Sequence, residues 1–330
     1  MPISSDTIDC APYASALDRI KTGLPTIPRL APAAFFDKAA DLAAGLPSEL
    51  RDVIAGFRAN GNEAGFVHLR NLPLDADSLP PTPDTFPAPD DRPLLGMEPW
   101  VALFGMLLGK ATGYRLNRGG GAFQDIFAVK EAHWTTANNF KVPLRYHTEM
   151  AYCADQQHYI VIGCARADHN NEARTTIASV RRALPLLDEA DREILRTIPL
   201  HWHTDMAYRT QENPDPTTEI LLLSNNDDTV RYDGVMIDTP EDPRVARALR
   251  AYTDAANATA VSVHLEPGDV LLVDNTRTSH SRTAYKPRFD GTDRWLQRVF
   301  VRDPQKLPHT IEQAEVLEFA LRAPDKALVR

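Results

Sequence analysis

The sequence is poor in cysteine and has no apolar run long enough to cross a membrane. Its three cysteines, Cys10, Cys153 and Cys164, are odd in number and lack CxxC spacing, which argues against a disulfide framework or a thiolate zinc site. No stretch approaches the roughly 18 to 20 apolar residues of a membrane helix. Residues 1–9 show no basic region followed by an apolar run, so we expect no signal peptide. These absences predict a cytoplasmic protein that is not bound to a membrane.

Clustered positive charge is also missing. The 330 residues carry a formal net charge of −9, and no block of Lys and Arg with interleaved aromatic residues occurs, which argues against a nucleic-acid partner. The phosphate-binding patterns GxGxxG and GxxxxGK[ST] are absent, and no repeat of 20 to 50 residues is visible. With 43% hydrophobic residues the chain can bury a sizeable core. We expect a small-molecule ligand and no obligate protein partner.

The pattern in the front third of the sequence predicts helices. Residues 34–60 and 97–108 have apolar side chains at helical spacing. Between them, residues 74–93 are dense in Pro and Asp and form either a linker between domains or a long ordered loop. We favour the loop, because the helical part before it is too short to be a domain.

After residue 120 the pattern changes to short strands. Runs rich in β-branched or aromatic residues and bounded by turn residues occur at 123–129, 142–147, 159–165, 220–223, 261–265, 270–273 and 295–301. Two amphipathic helices, 179–197 and 242–258, interrupt them. Many short strands with few long helices favour a mostly β sandwich or jelly roll with added helices. We expect one domain over 1–330, with a helical elaboration at 1–120, a core with helical and lid insertions at 121–305, and a C-terminal helix at 306–330.

One short motif suggests iron chemistry. A non-haem Fe(II) oxygenase holds its metal with two imidazoles and one carboxylate, which leaves positions open for co-substrate and O2. Ligands two residues apart on a strand point the same way, so His-x-Asp/Glu plus a distant His is the expected layout. Chance alone supplies about one or two such motifs in this composition, and the chain contains three: His147–Glu149, His203–Asp205 and His264–Glu266.

The surrounding sequence favours the first motif. Glu266 begins the turn sequence Glu-Pro-Gly-Asp, and His203 is followed by a polar, turn-rich stretch. His147 instead ends a strand-like run and is soon followed by the apolar residues 159–163, a rigid setting suited to metal ligands. Spacing by itself still leaves the His203 motif open. The third ligand is sought near the end of the core, where His280 lies in the polar stretch 275–281, which we interpret as a loop after strand 270–273.

Two arginines follow on one predicted strand. With a period of two residues, Arg294, Leu296, Arg298 and Phe300 share a face, which separates the two guanidinium groups by about 13 Å at 3.3 Å per residue. Two buried cations of this kind need anions. Either they pair with acids of the protein, or one binds the far carboxylate of 2-oxoglutarate and the other a substrate carboxylate.

Several longer motifs together resemble a known family. They are Arg145-Tyr-His-Thr-Glu-Met-Ala-Tyr152, Ala165-Arg-Ala-Asp-His169, Ser179-Val-Arg-Arg-Ala-Leu-Pro-Leu-Leu-Asp188, Glu266-Pro-Gly-Asp-Val-Leu-Leu-Val-Asp-Asn275 and Asp290-Gly-Thr-Asp-Arg-Trp-Leu-Gln-Arg298. The chain is thereby similar, over most of its length, to the clavaminate synthase-like family of Fe(II)/2-oxoglutarate oxygenases. The resemblance implies a double-stranded β-helix (jelly roll) core with helical elaboration.

The resemblance also implies roles for individual residues. Iron would be held by His147, Glu149 and His280, and 2-oxoglutarate by Arg294 and Thr175. Arg298 would bind the carboxylate of an amino-acid substrate. Further substrate contacts are implied for Asn138, Asp205 and Asp227, although the stretch 224–229 departs from the acidic lid of the relatives.

We therefore expect an enzyme of specialised metabolism, such as antibiotic biosynthesis. With Fe(II), 2-oxoglutarate and O2 it would oxidise, most simply hydroxylate, an unactivated C–H bond of an amino-acid-like molecule, although the family also performs cyclisation and desaturation. Two other interpretations are a cupin-like binding or regulatory protein with a vestigial metal site, and a zinc hydrolase that uses His201, His203 and another histidine.

Overall fold

The computed structural model describes residues 6–85, 96–116, 120–130, 140–307 and 316–327. Its helices are α1 (Ala14–Lys21), α2 (Pro32–Ala43), α3 (Ser48–Asn60), α4 (Glu98–Leu108), α5 (Val180–Ala183), α6 (Glu189–Thr197) and α7 (Pro243–Thr259). Its strands are β1 (Thr7–Asp9), β2 (Phe66–Arg70), β3 (Lys110–Tyr114), β4 (Gln124–Phe127), β5 (Leu144–His147), β6 (Tyr159–Arg166), β7 (Thr175–Ser179), β8 (Leu200–His203), β9 (Thr217–Ile220), β10 (Val261–Val263), β11 (Val270–Asp274), β12 (Thr278–Arg282), β13 (Trp295–Arg302) and β14 (Val316–Leu317). None of the described helices has the length and apolar character of a membrane span.

The strands form two sheets that face each other. The larger has the order β1-β2-β11-β6-β13-β3-β14, and β4 also pairs with β13; the smaller has the order β10-β7-β12-β5. Pairing is antiparallel except for β1 with β2 and β14 with β3. Neighbours in space are distant in sequence, as the crossed-over strands of a jelly roll require. The hairpin β8–β9 stands apart from both sheets.

Strand β13 separates two hydrophobic cores. Leu296 and Phe300 point into the core between the sheets, together with residues of β6 and β7. Trp295, Val299 and Val301 point the other way, into a core shared with helices α1 to α4. The alternation predicted for this strand is therefore confirmed. Because both faces are covered, β13 is buried along its whole length, which gives its arginines a rigid support.

Helix boundaries differ from the sequence pattern where turn residues intervene. The predicted helix 34–60 is two helices, because α2 ends at Ala43 and Pro47 precedes α3. The predicted helix 179–197 is also broken, by a 3-10 turn at Leu184–Leu186 that contains Pro185. Asp188 then caps α6 by accepting a hydrogen bond from the backbone N–H of Asp191. Apolar periodicity continued across both breaks and therefore concealed them.

Seven strands were predicted, and each overlaps one in the structure, although β9 meets its prediction only at Ile220. Seven more, β1, β2, β3, β7, β8, β12 and β14, were missed. The error that matters most is β12, since the stretch 275–281 was interpreted as a loop. Its polar sequence Thr-Ser-His-Ser-Arg lacks apolar alternation, yet it pairs with both β5 and β7.

The Pro-rich stretch after β2 is ordered where it is described. Thr82 donates its backbone N–H to the carbonyl of Gly291 at 2.8 Å and its hydroxyl to the carbonyl of Asp293 at 2.7 Å. Arg166 of β6 donates to the Thr82 hydroxyl at 3.0 Å. These contacts favour the ordered loop over a linker for residues 74–85; residues 86–95 lie outside the described part. Of the segment 306–330, residues 316–327 hold the short strand β14 and no helix, in contrast to the prediction.

Candidate metal centre and active site

Two histidines meet across the smaller sheet. The register of β12 with β5 places His280 directly opposite His147, and their ring centroids lie 4.2 Å apart. Both rings belong to paired strands, so the backbone ladder sets their separation. The two histidines are far apart in the sequence but are neighbours in the fold.

Glu149 completes the group from the turn that follows β5. Its Oε2 lies 3.8 Å from Nε2 of His147 and 3.9 Å from Nε2 of His280. One donor atom from each of the three residues lies within 4.8 Å of the others. Two imidazoles and one carboxylate on one side of a common point are the donor set that Fe(II) oxygenases use.

The hydrogen bonds around the group leave the metal-binding atoms available. Nδ1 of His147 lies 2.9 Å from the carbonyl oxygen of Arg145, an arrangement that puts the proton on Nδ1 and leaves Nε2 to bind a metal. Nδ1 of His280 is buried without a hydrogen-bond partner among the described residues.

Burial and neighbouring charges keep Glu149 and His280, but not His147, in the protonation states that bind a metal. Burial alone would raise the pKa of Glu149, but the charge of Arg298 and the adjacent imidazoles lower it well below its ordinary value. Burial, followed by the charge of His147, lowers the pKa of His280 well below its ordinary value. For His147, burial lowers the pKa, but the hydrogen bond and charge of Glu149 outweigh it and raise the pKa. An ionised carboxylate beside a neutral imidazole is ready to bind a cation.

The group lies in a cavity of about 1050 Å³ between the two sheets. Its walls are partly apolar, with Ile126, Ile162 and Leu296 among them. The polar lining contains the predicted residues that the fold does bring together: His147, Glu149, Thr175, Asp205, His280, Arg294 and Arg298. A cavity of this size admits a small ligand together with a co-substrate.

Arg294 and Thr175 are buried polar residues of the cavity lining. Arg294 is 4% exposed, and its Nη1 is buried without a hydrogen-bond partner among the described residues. Its guanidinium lies over the ring of Tyr285 at 5.6 Å. Thr175, on β7, is also buried and lines the same cavity. A buried guanidinium with an unused N–H is costly unless an anion is bound, so Arg294 suits a carboxylate ligand.

Arg298 lies beside the metal-binding group. Its Nη1 donates to Oε2 of Glu149 at 2.9 Å, and its Nε donates to Oε1 of Gln124 at 2.8 Å. These two hydrogen bonds hold the guanidinium in one orientation at the cavity wall. The alternative in which the arginines pair with acids of the protein therefore holds for Arg298, which pairs with Glu149.

The other predicted substrate contacts differ in their outcome. Asp205 lines the cavity, although its Oδ1 also accepts the backbone N–H of Ala207 at 2.8 Å. Asp227 does not line the cavity: its Oδ2 accepts a hydrogen bond from Arg196 at 2.7 Å, which ties a loop to α6. The prediction for Asp227 is corrected accordingly. Asn138 lies outside the described residues.

The histidines of the two competing motifs, His203 and His264, do not line the cavity. Glu266 pairs with Arg70 at the surface, with 2.7 Å between the charged atoms. His203 groups with His201 and Asp238 on the outer side of the hairpin β8–β9. The third member of that group is an aspartate, whereas the hydrolase reading required another histidine.

The sequence reasoning missed Asp233. Its backbone forms an isolated bridge with His147, and its side chain lines the cavity. Burial raises the pKa of this carboxyl group, although the charge of His147 acts in the opposite direction. The dipeptide Asp233-Gly234 reads locally as a turn, so no sequence signal pointed to the cavity.

Comparison with known proteins identifies the family. Residues 36–300 match the sequence model of the "Taurine catabolism dioxygenase TauD, TfdA family". The chain belongs to this family. It is 41% identical to clavaminate synthase 2 of Streptomyces clavuligerus over 303 residues, which cover 91% of this chain and 93% of the relative. It is 32% identical to L-asparagine oxygenase of Streptomyces coelicolor (strain ATCC BAA-471 / A3(2) / M145) over 255 residues, 77% of this chain and 76% of the relative.

Solved structures agree with the fold described above. Asparagine oxygenase in complex with Fe(II), 2S,3S-3-hydroxyasparagine and succinate superposes with a TM-score of 0.84 at 28% identity, covering 96% of this chain and 100% of the other. The non-heme iron oxygenase OrfP in complex with Fe and alpha-ketoglutaric acid superposes with a TM-score of 0.75 at 26% identity, covering 90% and 94%. The dioxygenase is thus a clavaminate synthase-like enzyme with a jelly-roll core, and its cofactors are Fe(II), 2-oxoglutarate and O2. The readings as a cupin-like binding protein or a zinc hydrolase are not supported.

Proposed function

We propose that this dioxygenase hydroxylates an unactivated C–H bond of a free amino acid, or of an amino-acid-derived intermediate of specialised metabolism. One observation carries the proposal: a single cavity contains the two imidazoles and the carboxylate of His147, His280 and Glu149, together with the guanidinium groups of Arg294 and Arg298. Of the four arginines among the described residues that line the cavity, Arg294 and Arg298 are the two on which the proposal relies, one for a carboxylate of the co-substrate and one for a carboxylate of the substrate. The printed names of relatives, among them L-lysine 3-hydroxylase and enduracididine beta-hydroxylase, support an amino-acid substrate.

In this proposal His147, Glu149 and His280 hold the iron. The fit rests on their donor atoms, which converge, and on the hydrogen bond at Nδ1 of His147, which leaves Nε2 available. Three protein ligands leave coordination positions for 2-oxoglutarate and O2. When bound, the iron with these two molecules supplies the oxidising chemistry of the enzyme class, with release of succinate and CO2.

Arg294 and Thr175 are proposed to hold the far carboxylate of 2-oxoglutarate. Arg294 has a buried Nη1 without a hydrogen-bond partner among the described residues, and both Arg294 and Thr175 line the cavity. Arg binds a carboxylate through two parallel hydrogen bonds, and a hydroxyl adds a third donor. This pair orients the co-substrate and fixes how far it reaches toward the iron site.

Arg298 is proposed to bind the substrate carboxylate. Because Gln124 and Glu149 already orient its guanidinium, little side-chain freedom is lost on binding. Asp205 and Asp233 line the same cavity and offer carboxylates to a substrate ammonium group. Opposite charges at two points set the angle of an amino acid, so that one C–H bond is presented to the iron site. The contact predicted for Asn138 stays a prediction.

The apolar wall is proposed to exclude water around the reacting carbon. Ile126, Ile162 and Leu296 line the cavity beside the charged groups. Electrostatic contacts are stronger where water is excluded, so the charged contacts proposed for substrate and co-substrate hold their partners firmly.

We further propose that residues 1–330 form one oxygenase domain and that the enzyme acts in the cytoplasm. The free thiols Cys10, Cys153 and Cys164 stay reduced there. Cell fractionation tests the location.

The decisive experiment is an anaerobic reconstitution. The purified chain receives Fe(II) and 2-oxoglutarate, then O2, and a panel of amino acids and derivatives is screened for succinate release and for a product heavier by one oxygen atom. His147→Ala is expected to abolish turnover, whereas the matched control His264→Ala, at a histidine outside the cavity lining, retains it. Turnover that survives His147→Ala, or a panel in which no amino-acid-like compound is oxidised, contradicts the proposal.

A further inference from the structure

A second group of metal-binding side chains lies on the outer face of the hairpin β8–β9. His201 and His203 are two residues apart on β8 and therefore share a face. The next chain segment brings Asp238 beside them, because Asp238 donates its backbone N–H to the carbonyl of His201 at 3.0 Å. One donor atom of each of the three lies within 4.8 Å of the others.

Both imidazoles are oriented by a further carboxylate. Nδ1 of His201 lies 2.9 Å from Oε1 of Glu219, and Nδ1 of His203 lies 3.2 Å from Oδ1 of Asp215. The Nε2 atoms turn toward Asp238, at 3.9 Å from Oδ2 for His201 and 3.1 Å from Oδ1 for His203. A carboxylate on one ring nitrogen that directs the other nitrogen toward a common point is the usual environment of a metal-binding histidine.

Charge also points to a cation. The carboxylates of Asp215, Glu219 and Asp238 together carry three negative charges when ionised, and Arg209 supplies one positive charge, 3.2 Å from Asp215. With neutral imidazoles, two negative charges are left over, which a divalent cation would offset. Imidazole and carboxylate ligands in this number are typical of zinc, which binds nitrogen at about 2.0–2.1 Å and keeps a fourth position for water.

We propose that His201, His203 and Asp238 form a second metal site that takes a divalent cation of the zinc type, with Glu219 and Asp215 as positioning residues. The site is distinct from the iron site, since none of its three ligands lines the cavity. The ligand side chains are partly exposed, so the cation reaches them without an opening of the fold.

The site would connect two segments of the cavity wall. The chain that follows β8 contributes Asp205 and Tyr208 to the lining, and the chain before Asp238 contributes Asp233 and Met236. A backbone hydrogen bond of 2.8 Å from His203 to the carbonyl of Met236 already joins them. A metal bound to residues of both segments would hold this wall together.

The binding test uses the full chain with the iron site removed by His147→Ala and His280→Ala. Zn²⁺ titrated against a competing chelator is expected to bind at one equivalent, and Co²⁺ is expected to give the visible absorption of a four-coordinate ion. Adding His203→Ala removes that equivalent, whereas the control His264→Ala keeps it. Failure to bind Zn²⁺ in the parent protein, or unchanged binding after His203→Ala, overturns the proposal.

Two milder variants guard against misfolding. Glu219→Gln keeps the size of the side chain but weakens the orientation of His201, so the Zn²⁺ affinity is expected to fall about 10–100-fold. Asp238→Asn removes one ligand charge and is expected to abolish binding at micromolar Zn²⁺, with the circular-dichroism spectrum unchanged. Zn²⁺ should also slow hydrogen exchange at the amides of His203 and Asp238. An equal Zn²⁺ affinity in the parent, Glu219→Gln and Asp238→Asn proteins contradicts the site, as does unchanged hydrogen exchange on addition of Zn²⁺.

Discussion

The side chain of Asn275 holds the main chain of Glu149 at two points. Its Oδ1 accepts the backbone N–H of Glu149 at 2.9 Å, and its Nδ2 donates to the Glu149 carbonyl at 3.0 Å. The same Nδ2 lies 3.1 Å from the carbonyl of Gln157. Asn275 is fully buried at the end of β11. One amide group thus fixes the proposed carboxylate ligand, which itself lies in a turn outside any strand.

Replacing Asn275 is expected chiefly to weaken metal binding at the site. Asn275→Ala leaves the backbone groups of Glu149 unsatisfied, and loss of such supporting contacts costs about 10–100-fold in metal affinity. Titration of the apoprotein with Fe(II) under anaerobic conditions measures the change. Asn226→Ala, in an exposed turn, is the control. An Fe(II) affinity in Asn275→Ala equal to that of the control contradicts this role.

Arg294 and Thr175 are expected to act on 2-oxoglutarate to different degrees. Removing one member of a buried charged pair costs about 2–5 kcal/mol, so Arg294→Met should raise the KM for 2-oxoglutarate by about 30-fold or more. Thr175→Val removes one neutral hydrogen bond, worth about 0.5–1.5 kcal/mol, and should raise this KM by about 2–10-fold. Succinate formation measures both. Lys286→Met changes an exposed cation on the preceding loop and should leave the KM unaltered; a weaker effect for Arg294→Met than for Thr175→Val argues against the assignment.

Arg298 is expected to act on the substrate and not on the co-substrate. Arg298→Lys keeps the charge but loses the planar fork, so the KM for the amino-acid substrate should rise about tenfold or more, with the KM for 2-oxoglutarate unchanged. The same substrate with a carboxamide in place of its carboxylate supplies the second comparison. This carboxamide should bind the parent enzyme more weakly than the substrate does. The loss of affinity should be much smaller in Arg298→Lys. Equal losses in the two proteins show that Arg298 does not contact the carboxylate.

The close packing of Gly65 against Thr278 limits which side chains fit beside the smaller sheet near His280. Gly65 has a φ of +75°, and a Cβ there would lie 2.2 Å from Cγ2 of Thr278. Gly65→Ala should therefore lower the free energy of unfolding by about 1–3 kcal/mol, and Thr278→Ser, which removes that methyl group, should recover part of the loss. Gly56→Ala, inside α3 with no neighbour within 4 Å of the new Cβ, should stabilise by about 0.4–1 kcal/mol. Denaturant unfolding of the four proteins checks these signs, and a neutral Gly65→Ala overturns the packing argument.

The ion pair of Arg58 with Asp303 should give a pH-dependent stability. Two hydrogen bonds, of 3.1 and 2.6 Å, join the guanidinium on α3 to the carboxylate after β13. Burial alone would raise the pKa of Asp303, but the hydrogen bond and charge of Arg58 lower it. A lowered carboxyl pKa stabilises the fold above the ordinary value of 3.8, and the contribution is lost as the pH falls through and below it.

Arg58→Met should accordingly be less stable than the parent at pH 6 to 8, with a difference that shrinks below pH 4. Unfolding by urea across this range measures the difference. Lys38→Met, on the exposed side of α2, should show no such trend. A difference that is constant with pH would mean that packing of the Arg58 side chain, and not its charge, stabilises the contact.

Local pattern predicted the parts of the fold in which one face of an element is apolar. Strand β13 and helix α7 were predicted within two residues at each end, because alternation in one and Asp242 with Pro243 in the other mark their limits. Strand β12 was missed for the opposite reason. His280, Ser281 and Arg282 of this strand line the cavity, where proposed ligand chemistry and not apolar burial selects the residues. The same holds for Asp233, whose local sequence indicates only a turn.

The sequence by itself determined the kinds of side chain available and their order: three His-x-acid motifs, His280 after them, and two arginines on one face of a predicted strand. Tertiary structure decided which of these meet. The pairing of β5 with β12 brings His280 to His147, while the hairpin β8–β9 carries His203 away from the cavity and Arg196 engages Asp227. The physical reason is that side-chain direction follows from the local period of a strand, whereas neighbouring strands are selected by burial and hydrogen bonding between segments far apart in the chain.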